Sequence, residues 1–79
     1  MNIEVRLFAR AREIAGRDII TVALPEGATV GELRRRLAEE YPRLAEVVKR
    51  SALAVGQEFA KDEQPVRGEV ALIPPVSGG

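Results

Sequence analysis

The residues of this chain whose types and spacing could do chemistry stand at its very end. From Val70 to Gly79 no side chain carries a charge, and the sequence closes on Pro74-Pro75-Val76-Ser77-Gly78-Gly79. Domain ends are commonly polar, so an uncharged ending of this kind is unusual. Two prolines favour an extended polyproline II path of about 3.1 Å per residue, and six such residues reach roughly 19 Å beyond the last strand. Gly78 and Gly79 then offer bare backbone, which passes through a narrow channel that any Cβ would obstruct. The expected reagent is the α-carboxylate of Gly79, the one charge in that stretch. A carboxylate is inert until it is activated, typically as an acyl phosphate or an acyl adenylate made by another enzyme. A nucleophile can then take the acyl group, or sulfur can replace the oxygen.

The rest of the composition removes most alternatives. The chain has no cysteine and no histidine. Disulfides, thiolate metal sites, a cysteine nucleophile, the usual general base and the commonest metal ligand are therefore all excluded. Twelve basic side chains balance twelve acidic ones. A zero net charge argues against bulk electrostatic binding to nucleic acid or to an anionic membrane. No apolar run is long enough to span a bilayer, and the opening residues have no signal-peptide core. The expected location is the cytoplasm, with no bound cofactor and no metal.

Such a reagent needs a rigid holder, and 79 residues supply one small domain. Ile3, Val5 and Leu7 alternate with Glu4, Arg6 and Phe8, the period of a half-buried strand. Ala9 to Ala15 reads as one or two helical turns closed by Gly16. Asp18 to Leu24 is a second strand, antiparallel to the first. Thr29-Val30-Gly31-Glu32 fits a capping box, opening a helix whose apolar stripe is Val30, Leu33, Leu37 and Tyr41. Pro42 ends that helix, and Leu44, Val47 and Val48 belong to a short second one. Leu53 to Val55, Phe59-Ala60 and Glu69 to Ile73 complete the strands, with turns at Gly56-Gln57-Glu58 and over the polar segment 61–68. The expected fold is α+β: a ubiquitin-like β-grasp over 1–73, with a mixed sheet of about five strands and one main helix packed across it. Residues 74–79 form an extended, flexible C-terminal tail. Ile3, Val5, Leu7, Leu33, Leu37, Val70 and Leu72 are the expected core.

Three stretches make the sequence resemble a known family, the small subunit of molybdopterin synthase. They are Val5-Arg6-Leu7-Phe8-Ala9-Arg10-Ala11-Arg12-Glu13, Gly68-Glu69-Val70-Ala71-Leu72-Ile73 and the ending Pro74 to Gly79. Gly56 stands where the family often has Asn in a tight turn, and both residues tolerate positive φ. The resemblance implies a ubiquitin-like sulfur carrier that is not catalytic alone. An adenylating partner of the ubiquitin-activating type would spend ATP to adenylate Gly79, and a sulfur donor would yield its thiocarboxylate. The tail would then enter the synthase large subunit, in a heterotetramer, and pass sulfur to cyclic pyranopterin monophosphate. Two loaded carriers would serve each pterin.

The resemblance also places partner contacts at Phe8, Phe59 and Ile73, whose strand parity puts Phe8 and Ile73 on the outer side of the sheet. Pro74, Pro75, Val76 and Ser77 would be gripped with the tail, behind Gly78 and Gly79. Arg34-Arg35-Arg36 reads as a solvated helix face paired with Glu32, Glu39 and Glu40. Arg10, Arg12 and Arg17 form a second small basic cluster. Three other functions share these features. They are a sulfur carrier for thiamine or tRNA thiolation, a ubiquitin-like modifier conjugated to lysines through Gly79, and a passive interaction domain whose tail is irrelevant.

Overall fold

The computed structural model describes residues 1–75. Nine short elements follow one another: β1 (Asn2–Leu7), α1 (Ala9–Ala15), β2 (Ile19–Ala23), α2 (Val30–Glu40), a 3-10 turn (Pro42–Leu44), α3 (Ala45–Arg50), β3 (Ala52–Val55), β4 (Glu58–Phe59) and β5 (Val70–Ile73). The strands form one sheet in the order β2-β1-β5-β3-β4. The pair β1–β5 is parallel, with Val5 opposite Val70 and Leu7 opposite Leu72. Its neighbours β1–β2, β3–β5 and β3–β4 are antiparallel. With α2 across one face, this is the expected β-grasp.

Strand alternation decides which face the helices cover. Ile3, Val5 and Leu7 are buried while Asn2, Glu4 and Arg6 face solvent. Val70 and Leu72 share the buried side, and Leu33 and Leu37 of α2 meet them with no exposed surface. All seven expected core residues are buried. Burying each such aliphatic side chain stabilises the fold by about 1.5–3 kcal/mol. Tyr41 leaves helical geometry at φ −126°, ψ 72°, because the ring of Pro42 crowds its α conformation.

The start of α2 is closed without leaving an orphan donor in its first turn. Glu32 N–H donates to Thr29 Oγ1 at 3.2 Å, and Thr29 N–H donates back to Glu32 Oε1 at 3.3 Å. The loop between β4 and β5 supplies the rest: Val30 N–H donates to Gln64 O at 2.8 Å and Gly31 N–H to Asp62 O at 2.9 Å. A Cβ at Gly31 would stand 3.3 Å from Asp62, so glycine is what lets that loop lie against the helix. Two tight positions need left-handed backbone. Gly56 and Gln57, at φ 58° and 70°, form the two-residue β3–β4 turn whose hand matches the strand twist.

One expectation needs correction. Arg34 does not line the solvent side with Arg35 and Arg36. Its guanidinium turns across to α3, where Nη1 donates to Val48 O at 2.7 Å and to Ser51 O at 2.8 Å, and Nη2 lies 3.4 Å from Asp62 Oδ1. The carbonyls at a helix C-terminus have no intrahelical partners, and α3 is too short to do without one. Arg36 does pair along the helix with Glu40, at 3.7 Å. Arg34→Ala should therefore lower unfolding free energy by about 2 kcal/mol, the worth of charged hydrogen bonds to carbonyls, whereas exposed Arg35→Ala should move it by less than about 0.5 kcal/mol. Urea denaturation checks the contrast, and equal effects would contradict it.

Candidate functional site

The face of the sheet away from the helices carries the candidate site. Register places Arg6, Ala71, Ala54 and Phe59 on one row across β1, β5, β3 and β4. Ala52 and Ile73 sit opposite one another on the next row. Phe8 continues β1 in extended geometry, at φ −130° and ψ 157°, so it keeps the side of Arg6. Phe8, Phe59 and Ile73 are thus brought to one face, as strand parity implied for Phe8 and Ile73. Phe8 is 44% exposed and Phe59 72% exposed, while Ile73 is half-buried. Between them Ala52, Ala54 and Ala71 form a low floor.

Elementary packing gives this face meaning. Aromatic side chains at such exposure leave much of their apolar area in water, and apolar groups grouped on one surface mark an interface. The apolar area is bordered by an ion pair, Arg6 Nε to Glu69 Oε2 at 3.3 Å. Beyond it lies a shallow hollow of 220 Å³ lined by Ala54, Gly56, Gln57, Glu69, Val70 and Ala71.

At one end of this face the chain leaves the sheet. Pro74 is buried and Pro75 exposed. Both line a 580 Å³ groove with Arg10 of α1 and with Glu46, Val47 and Arg50 of α3. Val76, Ser77, Gly78 and Gly79 lie outside the described residues. The basic cluster expected from Arg10, Arg12 and Arg17 is dispersed: Arg12 pairs with Asp18 at 3.6 Å, Arg17 lies beside Tyr41 and Arg43, and Arg10 faces α3. Arg10 and Arg12, two apart on α1, point to opposite sides of that helix, and Arg17 follows its C-terminal Gly16. The role of Arg34 was hidden, because its partners are backbone carbonyls 14 and 17 positions away.

No group of three or more His, Cys, Asp or Glu that could hold a metal occurs among the described residues. Nor is any helix there long and apolar enough to cross a membrane. What the arrangement offers is an exposed apolar face and, beside it, a chain end issuing from a buried strand.

A family model described as the ThiS family matches residues 5–79. The molybdopterin synthase sulfur carrier subunit of Arabidopsis thaliana is 41% identical over all of this chain and 84% of its own length. That of Dictyostelium discoideum is 38% identical over 99% of this chain and 96% of its own. Among solved structures, SAMP1 from Haloferax volcanii superposes with a TM-score of 0.85 at 31% identity, covering both chains completely. A chain in the complex of subunits 1 and 2 of the molybdopterin-converting factor from Helicobacter pylori does so with a TM-score of 0.68 at 26% identity, again over the whole of both.

If the apolar face serves a partner and not the fold, Phe59→Ser should change stability by less than about 0.5 kcal/mol, the usual range for surface positions. A loss above about 2 kcal/mol in thermal or urea unfolding would make Phe59 a core residue.

Proposed function

The chain belongs to the ThiS family, and from that footing we propose that it is the sulfur carrier subunit of a molybdopterin synthase. The observation that supports this reading most directly is positional. The last strand, β5, is the central one, and it carries Pro74 and Pro75 out beside the exposed apolar face. Four residues on stands Gly79. A partner that grips the face therefore has the exit of the chain, at Pro75, close beside it.

The chemistry runs in three steps, none of which needs a catalytic group on this chain. A carboxylate oxygen of Gly79 attacks the α-phosphorus of ATP held by a ubiquitin-activating-type partner, and pyrophosphate leaves. The terminal sulfur of a donor protein's persulfide attacks the acyl adenylate and AMP leaves. A thiol then attacks the donor-side sulfur of the resulting acyl disulfide, forming a disulfide with the donor and releasing Gly79 as a thiocarboxylate. The tail then enters the synthase large subunit, where the thiocarboxylate sulfur attacks cyclic pyranopterin monophosphate. Water hydrolyses the resulting thioester, so the sulfur stays on the pterin and the Gly79 carboxylate returns. Gly78 and Gly79 keep the tail thin enough for both active sites. Phe8, Phe59 and Ile73 dock the domain, and Val76 and Ser77 enter the channel behind exposed Pro75, whereas Pro74, buried against α1 and α3, stays with the domain. ATP belongs to the partner. The sequence of steps fits the cytoplasm, where ATP is supplied.

A second reading has its own support. The fold and full-length similarity extend to SAMP1 and to small archaeal modifier protein 3 of Haloferax volcanii, 33% identical over all of both chains. In that reading the same acyl adenylate is taken by a lysine amine of a target protein.

Mass spectrometry of the protein recovered from cells separates the two. A sulfur carrier should show a fraction with a gain of about 16 Da at Gly79, sulfur for oxygen; ladders of isopeptide-linked targets would favour the modifier, and an unmodified end in the presence of the activating partner and sulfur source would refute both. Deleting Gly79 should leave the melting temperature unchanged and abolish sulfur transfer. Phe8→Asp should keep the fold and weaken association with the large subunit by about tenfold or more, the loss expected at an interface anchor; unchanged affinity in calorimetry would remove Phe8 from the docking face.

A further inference from the structure

The groove at the root of the tail has a charge that the fold does not use. Arg10 opens on it from the first turn of α1 and Arg50 from the last residue of α3, with Pro74 and Pro75 between them as part of its lining. Arg6, Arg12, Arg34 and Arg36 are paired with Glu69, Asp18, Asp62 and Glu40 respectively. Among the arginines in no ion pair within the described residues, Arg10 and Arg50 are the two that share a groove with Pro74 and Pro75. Glu46 lines the same groove, so one carboxylate faces two guanidinium groups and a net positive charge is left.

Distance gives the position its consequence. Gly79 stands four residues after Pro75, and four residues span at most about 14 Å even when fully extended. An enzyme that reacts with Gly79 must therefore bring its reacting atoms within about 14 Å of Pro75, which itself lines this groove. In the adenylation step the incoming carboxylate and the ATP it attacks are both anionic, so the approach meets like-charge repulsion. Cations just behind the tail, matched by acidic side chains on the receiving protein, offset that repulsion and fix the register of docking.

We propose that Arg10 and Arg50 form a paired cationic clamp for Asp or Glu side chains at the channel entrance of the enzyme that adenylates Gly79. The clamp rests on the sulfur-carrier reading, or on the modifier reading that shares its first step. It is a second docking element, on the helical side of the tail, distinct from the apolar sheet face. Arginine suits the task because its planar fork takes a carboxylate in two hydrogen bonds.

The test is ATP–pyrophosphate exchange by the purified adenylating enzyme of the same source, with carrier concentration and NaCl varied. The carriers are the wild type, Arg10→Glu/Arg50→Glu and Arg10→Lys/Arg50→Lys. The double reversal should raise KM for the carrier by about tenfold or more at low salt and flatten its salt dependence, while kcat moves by less than about twofold, because rim charges act on encounter and register. The lysine pair should restore the salt dependence, which reads charge alone, but only part of the affinity, because an ammonium cannot take a carboxylate in two hydrogen bonds. Circular dichroism melting should be the same for all three. Unchanged KM and salt slope in the double reversal overturn the clamp, as does a lower KM, which would mean that the guanidinium pair holds down the chain's own α-carboxylate. Failure of the wild type itself to support exchange overturns the functional reading, and the clamp with it.

Discussion

The parallel pairing of β1 with β5 is the constraint on which the rest depends. Adjacent parallel strands cannot be joined by a turn; they require a crossover, and here the crossover is nearly the whole protein. Val5 and Val70, then Leu7 and Leu72, lie side by side with almost no exposed surface. Everything in between is organised to cover that seam on one side. α2 lays Leu33 and Leu37 over it, and the loop at 61–66 straps the start of α2 through the Val30 and Gly31 amides. The same pairing sets the exit of the tail and aligns the outer faces of β1, β5 and β3, which bring Phe8, Ala71, Ile73 and Ala54 onto one surface.

Charge is used in two ways. Arg34 is a structural cation, spending its donors on the carbonyls that end α3 and on Asp62. It ties α2, α3 and the loop before β5 into one body. Exposed ion pairs such as Arg12 with Asp18 contribute little, on the order of 0–1 kcal/mol each. A chain with no net charge can still present a local cation, and here it does so where the tail departs.

Much of this was legible in the sequence, for physical reasons. Strand parity was readable at Ile3, Val5 and Leu7 because a half-buried strand alternates at period two. The start of α2 was readable because Thr29 and Glu32 cap each other at short range, and its end because Pro42 disfavours helix before it. The outward placement of Phe8 and Ile73 followed from the same parity. The partners of Arg34 were not readable: a run of three arginines looks like a solvated face, and nothing local says that the first will meet carbonyls on another helix. That Arg10 and Arg12 diverge was readable from their spacing on α1, but which elements each would meet was not, since that depends on how α1 sits against β5 and α3. The backbone at Ala9, with φ 49°, has no sequence signature, for alanine is not a residue that left-handed geometry favours.

Because β5 is flanked by β1 on one side and β3 on the other, a pull along its axis is resisted in shear. Tension applied through Pro75 loads the hydrogen bonds to both neighbours together; it does not peel them one by one, as it would at a sheet edge. A domain anchored in this way resists tension through Pro75 without losing its fold, which suits the proposed role, in which the tail leaves one active site before entering another.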